Sequence, residues 1–245
     1  MPKKIAFIGC SYSAYEIDGS YKDHWSYLLS LIFPQHTYRN YAKGGQGPDY
    51  FRWAILDAKI WGADAIFVST TFDGRHAVMI DSANPNPRNE FAFEEKEISS
   101  NYSSMIFPPE NVVWVSGGRI GNPYDCKHVM GFAREYLRTV PVSDTQAAYN
   151  FSWFSNIDKL YNFDKVWTLD FAKHPPHHYK HQSENVWETL IQLCNTNVHK
   201  TAHQTLFEAG ICMSTVDDHW TKLGHTLVLN SYVLNEDVKN YLTQS

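Results

Sequence analysis

A short apolar run near the amino terminus is the feature that most constrains how this chain can fold. The run from Lys3 to Ile8 is followed by Gly9, Cys10 and Ser11. An apolar run of strand length that ends in a turn of small residues is typical of a central strand in a parallel sheet. The sequence therefore predicts a first strand that presents Ser11 at the carboxyl-terminal edge of the sheet.

The same order of strand, turn and helix recurs along the chain. Apolar runs predict the strands, and apolar residues at helical spacing predict the helices. The predicted strands are 3–8, 36–42, 63–71, 111–115 and 165–169, and the predicted helices are 21–33, 49–61, 124–138, 145–161, 184–194, 198–209 and a terminal helix from about 222. This order predicts an α/β fold, a three-layer α/β/α arrangement around a flavodoxin-like parallel sheet. We expect one domain over residues 1–245, with a long insertion at about 73–110.

Charge and composition argue against two classes of partner. The net charge is -5, from 21 basic and 26 acidic residues, and no basic block could follow a phosphate backbone, so we expect no nucleic acid partner. No apolar run reaches the length of a membrane span, and none resembles a signal peptide. Four scattered cysteines favour a reduced, cytoplasmic protein. The sequence leaves open a homo-oligomer or a larger assembly.

A serine hydroxyl is a weak nucleophile until a neighbouring base takes its proton, so Ser11 needs such a base. The carboxyl-terminal segment offers one, because Asp217 and His219 stand two residues apart, just before the apolar terminal helix. An acid and a histidine on a loop that such a helix anchors can share a site with a serine at a strand end far away in sequence. A serine that only caps a helix after a strand is the alternative interpretation.

Three blocks in chain order resemble those of a known family. Residues 9–13 resemble the Gly-Asp-Ser-x-Ser block of the SGNH (GDSL-type) hydrolases, and residues 40–45 resemble the second block, in which a glycine follows an asparagine by five positions. Residues 217–225 resemble the closing Asp-x-His block with its downstream Gly-His pair. The ordered set spans the chain and implies the SGNH hydrolase fold.

The resemblance implies a role for each matching position. Ser11 would be the nucleophile, His219 the general base and then acid, and Asp217 the group that orients the imidazole. The backbone N–H groups of Ser11 and Gly45 would bind the oxyanion, and each such donor is worth about 3 to 4 kcal/mol of barrier lowering.

The third block departs from the family pattern. Where the family has Gly-x-Asn-Asp, this chain has Thr70, Thr71, Phe72 and Asp73, and a phenyl ring cannot donate a hydrogen bond. A threonine hydroxyl could substitute, Arg75 could reach back, or the oxyanion hole could have backbone donors only. We therefore take Thr71 as an oxyanion-hole candidate, and Thr70 and Arg75 as substrate-binding candidates.

Two other groups of residues suggest further chemistry. Cys10 could be a thiol nucleophile, but strand alternation and the usual burial of cysteine favour a small residue packed behind the turn. The segment 174–181 holds four histidines, yet their spacing fits no zinc template and two prolines hold it extended. We predict no metal and no cofactor, and we take His177 and His178 as substrate-lining candidates.

These observations predict a serine esterase that hydrolyses an O-acyl ester of a carbohydrate or another small molecule through an acyl-enzyme. An acyl transferase would use the same triad, with a sugar or peptide hydroxyl in place of water. A binding or structural module that kept the fold and lost the activity is a third hypothesis, and Phe72 is the residue that supports it.

Overall fold

A computed structural model describes much of the chain. The described residues are 1–14, 21–42, 46–69, 75–79, 102–104, 112–116, 119–121, 153, 156–169, 202–210 and 219–244. The strands are β1 (Lys4–Ile8), β2 (Thr37–Asn40), β3 (Ala65–Ser69), β4 (Arg75–Met79), β5 (Tyr102–Ser104), β6 (Val112–Ser116), β7 (Arg119–Gly121) and β8 (Lys165–Leu169). The helices are α1 (Trp25–Ile32), α2 (Pro48–Trp61), α3 (Ile157–Tyr161), α4 (Ala202–Ala209), α5 (Lys222–Val228) and α6 (Glu236–Thr243), with a 3-10 turn at Tyr21–Asp23 and a π-helical turn at Leu229–Val233.

A parallel sheet forms the centre of the described structure. Its strand order within the described residues is β5-β2-β1-β3-β8, and each neighbouring pair is parallel. The order β2-β1-β3, continued by β8, is that of flavodoxin-like sheets, in which ligands bind at the switch point between the first and third strands. The carboxyl end of β1, and therefore Ser11, lies at that switch point.

Strand β1 has apolar residues on both of its faces, which suits its central place in the sheet between β2 and β3. Ile5, Ala6 and Phe7 are fully buried, as expected for a strand of a parallel sheet that is covered on both sides. Helix α1 covers the face of Phe7, since the rings of Phe7 and Trp25 pack edge to face with their centroids 5.2 Å apart. The predicted first strand and first helix are confirmed.

The helix that follows β2 has sequence signals at both ends. Pro48 occupies the first turn of α2, where its missing N–H costs nothing. Gly62 closes the helix with a φ of 82°, a left-handed conformation that favours glycine. These two residues explain why the prediction of 49–61 agrees with Pro48–Trp61.

The carboxyl-terminal helix α6 packs against the amino-terminal edge of the sheet. Lys3 Nζ donates a 2.7 Å hydrogen bond to the carbonyl oxygen of Tyr241, and His36 Nε2 lies 2.8 Å from that of Leu242. Trp167 Nε1 donates a 2.7 Å hydrogen bond to Asp237 in the first turn of α6. The two ends of the chain are thereby joined through the sheet.

Three predictions of local structure need correction. The segment from about 73 to 110, in which no strand was predicted, contains β4 and β5, and β5 extends the parallel sheet beside β2. The predicted strand near 111–115 is present as β6, but it lies between β4 and β7 in a separate antiparallel sheet. The terminal helix is interrupted after α5 by the π-helical turn, and α6 starts anew where Asn235 accepts a hydrogen bond from Val238 N.

The predicted helices at 124–138 and 184–194 lie outside the described residues. The predicted helix 145–161 is described over Ile157–Tyr161, and the predicted helix 198–209 over Ala202–Ala209. None of the helices in the described ranges has the length and apolar composition needed to cross a membrane.

Candidate active site

A tight turn at the end of β1 carries the candidate nucleophile. The backbone N–H groups of Ser13 and Ala14 both donate to the carbonyl oxygen of Cys10, at 2.9 and 3.0 Å. This turn encloses Ser11, which is 7% exposed, whereas Cys10 is fully buried. The burial of Cys10 agrees with its interpretation as a packing residue behind the turn.

Gly9 is required by the close approach of two serines to β1. A Cβ atom at this position would lie 2.0 Å from Ser69 Oγ and 2.8 Å from Ser13 Oγ. The two hydroxyls are themselves 2.9 Å apart and form a buried hydrogen bond between the turn and the end of β3. The glycine of the first block therefore allows the turn to pack directly against β3.

The end of β2 also binds the turn. Asn40 is buried, and its Nδ2 donates a 2.8 Å hydrogen bond to the carbonyl oxygen of Ser13. Its Oδ1 accepts a 2.8 Å hydrogen bond from Ala42 N, so the amide orientation is consistent at both ends. The asparagine of the second block thus fixes the position of the first block.

Trp25 of helix α1 and the capping residue His24 both bind the same turn. Trp25 Nε1 donates a 3.0 Å hydrogen bond to the carbonyl oxygen of Tyr12, and His24 Nε2 lies 3.3 Å from that oxygen. Tyr12 directly follows Ser11. The backbone beside the candidate nucleophile is therefore held by side chains from a second element.

The candidate base His219 lies next to this turn. It precedes α5, and its ring centroid lies 5.4 Å from that of Tyr12. The neighbouring Trp220 packs on the same tyrosine, with the centroids 4.8 Å apart. The fold thus brings together two residues separated by more than 200 positions in sequence, and Nδ1 of His219 is buried in this packing.

A pair of buried histidines stands behind His219. The rings of His24 and His225 lie 4.4 Å apart between centroids, and that of His225 is 5.6 Å from Trp220. Burial, and to a smaller extent the nearby His219, lower the pKa of His225 to about 4, while Asp23 opposes the shift. Burial and the contact with His225 likewise hold the pKa of His24 well below its usual value. Both imidazoles are neutral at physiological pH.

The other predicted site residues, apart from Arg75, lie outside the described part of the chain. For Arg75 only the backbone is described, at the start of β4 and opposite Ser116. The roles assigned to the remaining candidates stay predictions. These residues are Gly45, Thr70, Thr71, His177, His178 and Asp217.

Sequence reasoning gave no site role to His24 or Ser26. The available signal was the position of His24 immediately before the apolar residues of α1, where a side chain with an acceptor can cap the helix. His24 does accept a hydrogen bond from Ser26 N as the cap of α1. Its second contact, to Tyr12, depends on tertiary structure and has no local sequence signal.

The parallel sheet, its flavodoxin-like strand order and a serine turn at the switch point define an α/β protein, and its similarity to solved structures gives it the SGNH hydrolase fold. A psychrotrophic esterase, EstA from Pseudoalteromonas sp., in a structure inhibited by monoethylphosphonate, is similar over 99% of this chain and 100% of that chain. The TM-score is 0.51 and the sequence identity 11%.

Two further solved structures are similar at lower scores. TesA gives a TM-score of 0.49 at 11% identity over 93% of this chain and 94% of that one. A member of the lipolytic protein G-D-S-L family from Veillonella parvula gives 0.47 at 11% identity over 93% and 94%. Neither a protein-family model nor a curated protein sequence matches the chain.

Proposed function

We propose that this protein is a serine esterase that hydrolyses an O-acyl ester of a carbohydrate or another small molecule. The observation that carries the proposal is the contact between the ring of His219 and the ring of Tyr12, the residue after Ser11. A nucleophile and its base must meet in space, and an ordinary capping serine needs no histidine from the far end of the chain. The fold shared with an esterase supports the same function.

In the proposed reaction, Ser11 Oγ attacks the acyl carbonyl while a ring nitrogen of His219 takes the hydroxyl proton. A bond forms between Oγ and the acyl carbon, and the resulting oxyanion accepts hydrogen bonds from the N–H groups of Ser11 and Gly45. His219 then returns the proton to the departing alcohol as the ester bond breaks.

Water completes the cycle. His219 takes a proton from a water molecule, the hydroxide attacks the acyl-enzyme, and the acid leaves as Ser11 recovers its proton. Asp217 accepts a hydrogen bond from the imidazole and keeps it in the required orientation. Thr71 completes the oxyanion hole through its hydroxyl, since Phe72 cannot.

The proposed substrate is a small-molecule or glycan ester, with Thr70, Arg75, His177 and His178 as candidate contacts. No cofactor enters the proposed reaction. The scattered cysteines, together with the buried free thiol of Cys10, support the cytoplasm as the proposed compartment.

Turnover of an aryl acetate and an O-acetylated sugar tests the proposal. We expect Ser11→Ala to abolish turnover, and His219→Ala to reduce it by about 10²- to 10⁴-fold, the usual contribution of a general base. Ser30→Ala is the matched control, because Ser30 Oγ donates to the carbonyl oxygen of Tyr27 within helix α1, and we expect wild-type rates from it. Turnover that survives in Ser11→Ala at the wild-type rate would remove Ser11 as the nucleophile.

A further inference from the structure

The carbonyl oxygen of Tyr12 accepts hydrogen bonds from two buried side chains. One belongs to helix α1 and the other to the residue before it. Trp25 Nε1 donates at 3.0 Å and His24 Nε2 lies at 3.3 Å. A carbonyl oxygen can only accept, so the Nε2 of His24 must carry a proton. The peptide that links Tyr12 to Ser13 is thereby held from one side, immediately after the candidate nucleophile.

The other ring nitrogen of His24 requires the same tautomer. Ser26 N donates to Nδ1 at 3.3 Å, and Ser26 Oγ lies 2.8 Å from it. A backbone N–H can only donate, so Nδ1 is an acceptor and carries no proton. Both ends of the imidazole therefore specify a neutral ring with its proton on Nε2.

The serine that binds His24 is itself bound to the end of β2. Asn40 Nδ2 lies 3.4 Å from Ser26 Oγ and 2.8 Å from the carbonyl oxygen of Ser13. An amide nitrogen donates, so Ser26 Oγ accepts from Asn40 and gives its own proton to His24 Nδ1. Asn40, Ser26 and His24 thus form a buried chain of donors whose two ends both hold the turn after Ser11.

The environment of His24 keeps the ring neutral. The side chain is 3% exposed, and His225 covers it at a ring separation of 4.4 Å. Burial and the neighbouring imidazole both disfavour a second proton and hold the pKa of His24 low. A protonated His24 would lose the acceptor that caps α1 and binds Ser26.

We propose that His24 is a positioning residue for Ser11: in its neutral Nε2–H form it ties the backbone of the nucleophile turn to the start of helix α1. This inference rests on the proposed function. The effect acts on geometry, because His24 reaches the carbonyl of Tyr12 and forms no hydrogen bond to Ser11 among the contacts described here. A displacement of about 1 Å of a reacting group can cost about 100-fold in rate.

Two substitutions separate the two contacts of the ring. In His24→Asn the amide oxygen takes the place of Nδ1 and keeps the acceptor for Ser26 N, but the side chain of residue 24 no longer reaches Tyr12. In His24→Gln the longer side chain brings an amide N–H to the place of Nε2, so the bond to Tyr12 is kept and the helix cap is lost. Comparison of the two variants therefore separates the effect of the hydrogen bond to the turn from the effect of the helix cap.

We expect His24→Asn to lower kcat about 10- to 100-fold with KM within about twofold and with little change in melting temperature. We expect His24→Gln to lower the melting temperature because the cap is lost, and to keep kcat within about threefold of wild type. Equal losses of kcat in both variants, in proportion to their losses of stability, would show a purely structural role and overturn the proposal. Wild-type kcat in His24→Asn would overturn it as well.

A nuclear magnetic resonance measurement tests the tautomer without any turnover. In protein with ¹⁵N-labelled histidine, long-range proton–nitrogen correlations report which ring nitrogen carries the proton, and His24→Asn identifies the signal. We expect His24 as the Nε2–H tautomer between pH 6 and 8, in wild type and in Ser11→Ala. A proton on Nδ1, or a ring charged in this range, would overturn the positioning role even in an active esterase.

If the proposed function were wrong, these experiments would give a different set of results. An inactive wild type with the Nε2–H tautomer would overturn the esterase proposal, and with it the kinetic role of His24, while the hydrogen bonds to the turn would stand. An active wild type with unaffected His24→Asn would overturn the positioning role alone.

Discussion

The two halves of the candidate site are held in different ways. The turn around Ser11 is fixed by directional hydrogen bonds from three elements, namely Ser69 at the end of β3, Asn40 at the end of β2 and Trp25 in α1. The segment that carries His219 is held by packed rings, with Trp220 against Tyr12 and against His225. Tyr12 is the residue at which the two halves meet.

This difference indicates how each half is positioned. Hydrogen bonds fix distance and angle, so they hold the backbone of the turn around Ser11 in place. Ring packing contributes area and about 0.5 to 1.5 kcal/mol per pair, but it tolerates small rotations. We infer that these hydrogen bonds position the turn of the candidate nucleophile, and that ring packing contributes to the position of the candidate base.

The largest expected effect comes from breaking the hydrogen-bonded half. In Gly9→Ala the new methyl group would lie 2.0 Å from Ser69 Oγ and 2.9 Å from Ser13 Cβ, so the turn must move away from β3. Overpacking of this kind costs about 1 to 3 kcal/mol. We expect a loss of this size in the free energy of unfolding, measured with denaturant, together with a loss of esterase activity.

Removal of the Ser69 hydroxyl provides the control for this prediction. In a Ser69→Ala background the nearest obstacle is gone, and Gly9→Ala should cost less there than in wild type. An equal cost in both backgrounds, or no cost in either, would contradict the account of the close contact.

A smaller effect is expected from the ring-packed half, as a dependence of stability on pH. His225 has a pKa of about 4 in the fold and 6.5 ordinarily, so below pH 6.5 the unfolded chain binds a proton that the folded chain does not. The stability from the neutral ring is present above pH 6.5. It is lost as the pH falls towards 4, by about 1.4 kcal/mol per pH unit at most.

His225→Phe keeps a ring against Trp220 and removes this titration. We expect the free energy of unfolding of His225→Phe to fall less steeply than that of wild type between pH 6.5 and 4, while His24 continues to contribute. The groups that face His225 are His219, His24 and Asp23, and Asp23 is paired with Lys222 at 2.6 Å. Parallel curves for the two proteins would show that His225 is not the neutral, buried group described here.

The central strands were predictable because their signals are local. The run ending at Ile8 is apolar on both faces, and Pro48 and Gly62 mark the two ends of α2. In contrast, β4 and β5 were missed because short strands depend on pairing with distant partners, here β6 and β2. The change from α5 to the π-helical turn also lacks a local signal, since no proline or glycine interrupts residues 225–234.

The residues of the candidate site also differ in whether they could be predicted from sequence. Ser11 and His219 could be chosen from sequence because they stand in recognisable blocks, and the ring of His219 packs against that of Tyr12, the residue after Ser11. Asn40 stands in the second block, but its partners Ser26 and His24 could not be chosen, because their target is the backbone of the turn at Tyr12 and Ser13. Sequence patterns thus reveal candidate reacting groups more readily than the side chains that contact the backbone around them.

The most direct test of the central claim is the site of a covalent phosphonate adduct. The protein would be treated with a fluorophosphonate and digested, and the modified residue located by mass spectrometry, with Ser11→Ala treated in parallel. The account predicts one adduct, on Ser11, absent from the variant, because only a serine activated by a neighbouring base attacks phosphorus at a useful rate. An adduct on another residue, or equal modification of the variant, would contradict it.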